Sequence, residues 1–181
     1  MKIGDDKLRL QHGFTLIEIL VGMALTGILI VGIVVTIFQV NVGTAQNKNS
    51  MYALRQVQTA GYYISRDTLQ AECIGIYPAD NGFPVTLVWD DPGTSENHSI
   101  KYEYDSGTRT LKRTGSINNS VNSVIQIANN INSTTSFTNN GTGYFILTVT
   151  ATTGGYQPAS ATRTYEVEPR LESIALDIGG T

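Results

Sequence analysis

Cys73 is the only cysteine in this chain. A single thiol excludes an internal disulfide and a multi-cysteine zinc site. Its expected role is that of a small buried hydrophobe. Positive charge is also scarce. Twelve Lys and Arg stand against fifteen Asp and Glu, a formal net charge of -3, and the pI is near 5.3. There is no basic stripe and no interleaving of basic and aromatic residues, so no contact with nucleic acid is expected. Histidine occurs twice, as His12 and His98. That His98 adjoins Ser99 carries no weight, because catalytic triads assemble in space and not along the chain. No catalytic constellation is present, and neither enzyme activity, cofactor nor metal is expected. The acidic segment Asp90-Asp91-Pro92-Gly93 with Glu96 offers oxygens, but its spacing matches no calcium-binding loop. It reads as a solvated turn.

The most informative scarcity is that of charge near the start. From Phe14 to Phe38 the only charged residue is Glu18, and no Lys or Arg occurs between Arg9 and Lys48. That apolar run exceeds the roughly 20 residues a helix needs to cross a bilayer. A core helix is the alternative, but a remainder of roughly 140 residues could hardly surround a span this long and apolar. A secretory signal peptide is shorter and ends at a small-residue cleavage site, which Gln39-Val40-Asn41 does not offer. Lys2, Lys7 and Arg9 outnumber Asp5 and Asp6 in the segment before the span. Positive flanks stay cytoplasmic, so this end is expected inside. A charged residue within such a span is costly, and Glu18 therefore needs a reason. Snorkelling to the interface at a helix N-terminus is one.

Gly13-Phe14-Thr15-Leu16-Ile17-Glu18, opening a long apolar helix, resembles the cleavage and methylation motif of type IV prepilins and type II secretion pseudopilins. The resemblance covers roughly residues 8–40. It implies that prepilin peptidase cuts between Gly13 and Phe14 on the cytoplasmic side, and that Phe14 becomes the N-methylated terminus. It also implies that Glu18, fifth in the mature chain, pairs with the amino terminus of a neighbouring subunit during assembly. A carboxylate and an ammonium relieve each other's desolvation cost when buried together. The implied partners are prepilin peptidase, other pilin or pseudopilin subunits, the inner-membrane assembly platform and membrane lipid. The implied location is the inner (cytoplasmic) membrane, crossed once with the head outside, and then the pilus or pseudopilus. Gly22, Gly27 and Gly32 recur at fifth positions. Five steps turn the helix by about 140°, so they form no single seam and leave notches around it. Major pilins usually kink this helix with a proline, but Ile33-Val34-Val35-Thr36 has none. Many pilins close a C-terminal loop with a disulfide, which this chain cannot form. Both departures lean toward a minor pilin or pseudopilin. The helix end Tyr62-Tyr63-Ile64-Ser65-Arg66-Asp67, followed by a strand and two hairpins, most resembles the larger minor pilins and the J-class minor pseudopilin. The alternatives are a pilus-borne adhesin, a DNA-uptake subunit or a major pilin.

Beyond Gln39 the chain turns polar without a break. Leu54, Val57, Ala60-Gly61, Ile64 and Leu69 recur at helical spacing, with Arg66 and Asp67 among the polar residues between them. One helix from about Phe14 to about Leu69 is predicted, on the order of 80 Å long. Tyr52, Tyr62 and Tyr63 are expected at the stripe's edges. Pro78 and Asn81-Gly82 mark a loop. Strands are predicted at Val85–Trp89, Ile100–Tyr104, Thr110–Thr114, Ser123–Ala128, Tyr144–Thr150 and Ala161–Val167. The Asn-rich run from Ile117 to Gly141 reads as exposed loop around one short strand. The expected fold is α+β and pilin-like: a long N-terminal helix packed on one antiparallel β-sheet. The expected divisions are a leader at 1–13, a membrane-spanning half-helix at 14–38, an amphipathic half-helix at 39–70 and a globular head at 71–181.

Overall fold

A computed structural model describes residues 13–77, 81–91, 93–141, 143–170 and 175–176. The leader before Gly13, Pro78 and Pro92 lie outside the described residues. One helix, α1 (Leu16–Thr68), is followed by nine strands. These are β1 (Cys73–Tyr77), β2 (Gly82–Asp90), β3 (Asn97–Asp105), β4 (Thr110–Ile117), β5 (Ser120–Ala128), β6 (Ser136–Asn139), β7 (Phe145–Thr152), β8 (Ser160–Val167) and β9 (Ala175–Leu176). The chain divides into two units, one ending at Gly43 and the other beginning at Thr44.

In the first unit, α1 exposes its large apolar side chains all round, from Leu16 through Val40. α1 is the one described helix long and apolar enough to cross a membrane. The apolar window buries nothing within the protein. Its polar groups are handled internally. The Thr26 hydroxyl donates to the Gly22 carbonyl at 2.7 Å and that of Thr36 to the Gly32 carbonyl at 2.8 Å. Each threonine thus satisfies its hydroxyl one turn back, as a helix in lipid requires.

In the second unit the same helix has a single buried stripe: Ala53, Val57, Ala60, Gly61, Ile64, Asp67 and Thr68. The three- and four-residue spacing keeps these positions on one face. Burying Val57 and Ile64 contributes roughly 1.5–3 kcal/mol each. The stripe packs on an antiparallel sheet, giving an α+β fold. Leu54 and Leu69, predicted in the stripe, lie off it; Leu69 is exposed beyond the helix end. Tyr63 packs on the core, whereas Tyr52 and Tyr62 are exposed.

The strands form two sheets, where one was expected. The larger runs β5-β4-β3-β2-β1-β9 and the smaller β6-β7-β8. All pairings are antiparallel except β1 with β9. The extra sheet comes from the Asn-rich run. Phe137 in β6 is fully buried and stacks on Phe145 of β7 with ring centroids 5.4 Å apart. One buried aromatic suffices to turn a segment read as loop into a strand. β1 was also unexpected. Its alternation sends Ile74 into the core and leaves Cys73 exposed, contrary to the buried role expected for that thiol. Pro84 sits inside β2 where the β1–β2 register shifts between Ile76 and Tyr77. A bulge is where a strand tolerates a residue without an N–H.

Hydrogen bonds join the sheets. Arg109 donates from Nη2 to the Thr152 carbonyl at 2.9 Å and to that of Asn130 at 3.3 Å, and from Nε to that of Ile131 at 3.3 Å. The Phe137 amide donates to the Asn81 carbonyl at 2.9 Å. Beside that bond Gly82 has φ +83°, and a Cβ there would run into the Phe137 carbonyl oxygen.

The helix is tied to the larger sheet by Asp67, which is 1 % exposed. Its Oδ2 accepts from the Tyr102 hydroxyl and from Arg113 Nε, each at 2.6 Å, and its Oδ1 accepts from Arg66 Nη2 at 3.0 Å. Burial, more than the bond to Asp67, pushes the Tyr102 hydroxyl well above its ordinary pKa, so it stays a neutral donor.

Removing one member of a buried ionic cluster leaves the others uncompensated. Asp67→Ala is therefore expected to cost about 3–5 kcal/mol, and Tyr102→Phe roughly 0.5–1.5 kcal/mol. Thermal unfolding of the full chain in detergent micelles checks both, and near-equal losses would refute the central role of the carboxylate. By the same measurement Gly82→Ala should cost about 1–3 kcal/mol for strain at positive φ. Gly43→Ala, where a Cβ meets nothing within 4 Å, should be neutral or stabilising.

Candidate functional site

The residues singled out at the start of the chain fall at the beginning of α1. Gly13, Phe14 and Thr15 are exposed and non-helical, and the helix begins at Leu16. The Gly13–Phe14 peptide bond thus lies just ahead of the first helical residue. A peptidase acts on extended backbone, and this bond is not held in a helical turn. Phe14 is 84 % exposed.

Glu18 lies in the first turn and folds back onto Thr15. Its Oε2 accepts from the Thr15 amide at 2.9 Å and from the Thr15 hydroxyl at 3.0 Å. The Glu18 amide in return donates to Thr15 Oγ1 at 3.3 Å. This reciprocal pair is a capping box. The N-cap hydroxyl satisfies an orphan amide of the first turn, and the carboxylate reaches back to the amide of the N-cap residue. A carboxylate also complements the positive end of the helix dipole. The structure therefore supplies a local partner for Glu18 within its own subunit. Thr15 is the functional neighbour that the sequence reading passed over. The signal was available, since Thr-Leu-Ile-Glu ahead of an apolar run has the spacing of a capping box.

Next to Glu18 the helix surface is notched. Ile17, Val21 and Leu25 wall a shallow groove whose floor is Gly22. A second groove lies over Gly32, between Ile28, Leu29, Ile33 and Thr36. A Cβ added at Gly22, Gly27 or Gly32 would meet no atom within 4 Å. The structure thus brings Gly13, Phe14, Thr15 and Glu18 onto one short, exposed segment.

No metal-ligand cluster forms among the described residues: no three His, Cys, Asp or Glu side chains come together to hold a metal. In the acidic turn, Asp91 Oδ1 accepts from the Gly93 amide at 3.0 Å and Asp90 Oδ1 from Asn97 Nδ2 at 3.0 Å. Those oxygens organise the turn. The bond from the Gly93 amide, with that from Thr94, holds the Asp91 carboxyl below its ordinary pKa.

Comparison with known families matches residues 8–34 to the prokaryotic N-terminal methylation motif. Comparisons with curated proteins and with solved structures gave no match. The motif supports membership of the type IV pilin and pseudopilin family, whose subunits are structural. It implies processing by prepilin peptidase and assembly with other pilins. Together with the apolar helix it supports membrane anchoring followed by incorporation into a pilus.

Thr15→Val removes the N-cap hydroxyl and keeps side-chain volume. Amide hydrogen exchange at Glu18 should then speed up several-fold, while amides around Ile64 are unchanged. Unaltered exchange at Glu18 would show that the capping box does not hold the first turn.

Proposed function

Starting from a prepilin-type methylation motif at residues 8–34, we propose that the chain is a minor pilin or pseudopilin. Prepilin peptidase cuts it between Gly13 and Phe14, and Phe14 is then N-methylated. The mature subunit waits in the inner membrane, crossing it once through residues 14–38 with the head outside. It passes through the assembly platform into a type IV pilus or type II secretion pseudopilus. The carrying observation is the order of features at one helix start: an exposed non-helical Gly13–Phe14 bond, a Thr15–Glu18 capping box, then a helix exposing apolar side chains all round. The absence of proline around Ile33–Thr36 and the single cysteine favour a minor subunit over a major one.

The capping box gives Glu18 two successive partners. In the isolated subunit its carboxylate is held by Thr15. On assembly a neighbour's amino terminus, brought into the apolar bundle, competes for it. An ammonium and a carboxylate desolvated together relieve a penalty that neither could bear alone. Only a subunit in correct register would make that exchange, so Glu18 acts as a docking check. The groove beside Gly22 leaves room for the neighbour's helix start.

Two measurements test this. Mass spectrometry of assembled filaments should find N-methyl-Phe14 as the first residue, and an intact Met1 there would overturn the reading. Glu18→Ala should be cleaved normally yet incorporated to a small fraction of the wild-type level, measured by quantifying both forms in purified filaments. Equal incorporation would refute the docking role.

A further inference from the structure

The helix-side face of the larger sheet has a second polar site next to the Asp67 cluster. Antiparallel register sets Trp89 opposite His98, and Gly115 opposite Ile100 on one side and Ser123 on the other. The Trp89 and His98 rings lie stacked, with centroids 5.5 Å apart and planes 6° from parallel. Trp89, His98, Arg113, Gly115, Asn122 and Ser123 border a pocket of about 110 Å³. Gly115 lies in its lining. A Cβ there would lie 2.6 Å from Ser123 Oγ, 3.0 Å from Asn122 Oδ1 and 3.8 Å from Arg113 Nη1. Three polar atoms on two strands thus crowd the position beside Gly115, and only a residue without a side chain fits among them.

Charge says what fits. Asp67 carries one negative charge and faces two guanidiniums, Arg66 and Arg113. The cluster keeps a net positive charge. Arg113 commits its Nε to Asp67, and its Nη1 borders the pocket. Among the described residues the Asn122 amide and the Ser123 hydroxyl hold no hydrogen bond. An Asn side chain turned about its last bond presents N–H where Oδ1 now stands. The site then offers a guanidinium edge, an amide N–H and a hydroxyl, all donors. The volume takes one planar carboxylate and a carbon or two, and guanidinium edges pair preferentially with such planar anions. The flat Trp89–His98 wall suits the attached carbon. Convergent polar groups beside an aromatic wall are the usual make-up of a small ligand site.

We propose that the hollow over Gly115 binds a carboxylate group, held by Arg113, Asn122 and Ser123 and walled by Trp89 and His98. The site is independent of the assembly role of the helix start. Its source is either a free small organic acid or an acidic side chain of another polypeptide, which share this chemistry.

Trp89 is the only tryptophan in the chain, so its emission reports on the pocket directly. The full chain in neutral detergent micelles is titrated with sodium acetate against sodium chloride at constant ionic strength. A saturable change in Trp89 emission with acetate and none with chloride is the expected result. A parallel titration uses aspartate capped at both ends. Saturation by both ligands supports the proposal and assigns the carboxylate to a polypeptide, whereas saturation by acetate alone supports it and assigns a free acid. No saturable response to either, or the same response to chloride, overturns it. Gly115→Val, whose Cβ alone would meet Ser123 Oγ at 2.6 Å, displaces the polar groups of the site and should abolish the response. The exposed-edge variant Asn122→Ala/Ser123→Ala provides a second readout if the valine disturbs folding. It should bind acetate about tenfold more weakly, and wild-type affinity in that variant also overturns the proposal.

Discussion

One buried carboxylate sets how the helix sits on the sheet. Asp67 has almost no contact with solvent, and its partners come from β3, β4 and its own helix turn. Burying an ion is costly unless partners are present in good geometry. A slip of α1 by one turn would carry Asp67 away from Tyr102 and Arg113 and leave three polar groups stranded. Apolar contacts alone would discriminate less sharply, since apolar side chains recur at every turn of the stripe, at Ala53, Val57, Ala60 and Ile64. The small residues allow a close approach. Gly61 is so near the Tyr165 ring that a Cβ would strike it. The charge selects among the positions that such closeness permits.

The same helix solves a different problem before Gly43. There its apolar side chains are exposed among the described residues, and the polar side chains within the span are satisfied locally. Thr26 and Thr36 bond to glycine carbonyls one turn back, and Glu18 closes on Thr15. A helix built this way leaves no unpaired side-chain hydroxyl to lipid. The one carboxylate it carries is held by Thr15 within its own first turn.

Much of this was legible beforehand because it rests on patterns along the chain. The apolar run, the helix and the alternating strands β3 and β7 follow from spacing, and the Gly13–Glu18 motif was read from its resemblance to prepilins. The second sheet was not legible. Phe137 stands among Asn, Ser and Thr, and nothing local reveals that Phe145 stacks on it. Asp67 was read as one of the polar residues between the stripe positions, although its place three residues after Ile64 puts it on the buried stripe. Cys73 was expected inside because cysteine usually is. The alternation of a strand that had not been predicted turns it outward.

The sequence by itself determined the processing motif, the long helix and its division into an apolar and an amphipathic half. These depend on residues within a few turns of one another, where covalent spacing fixes what each side chain can face. Tertiary structure alone decided that Asp67 is buried, that the strands split into two sheets, and that Arg113 meets Asn122 and Ser123 over Gly115. Each of these depends on which strands lie side by side. That choice is settled by the burial of apolar surface and the pairing of charge across the whole head, where residues far apart in the chain become neighbours.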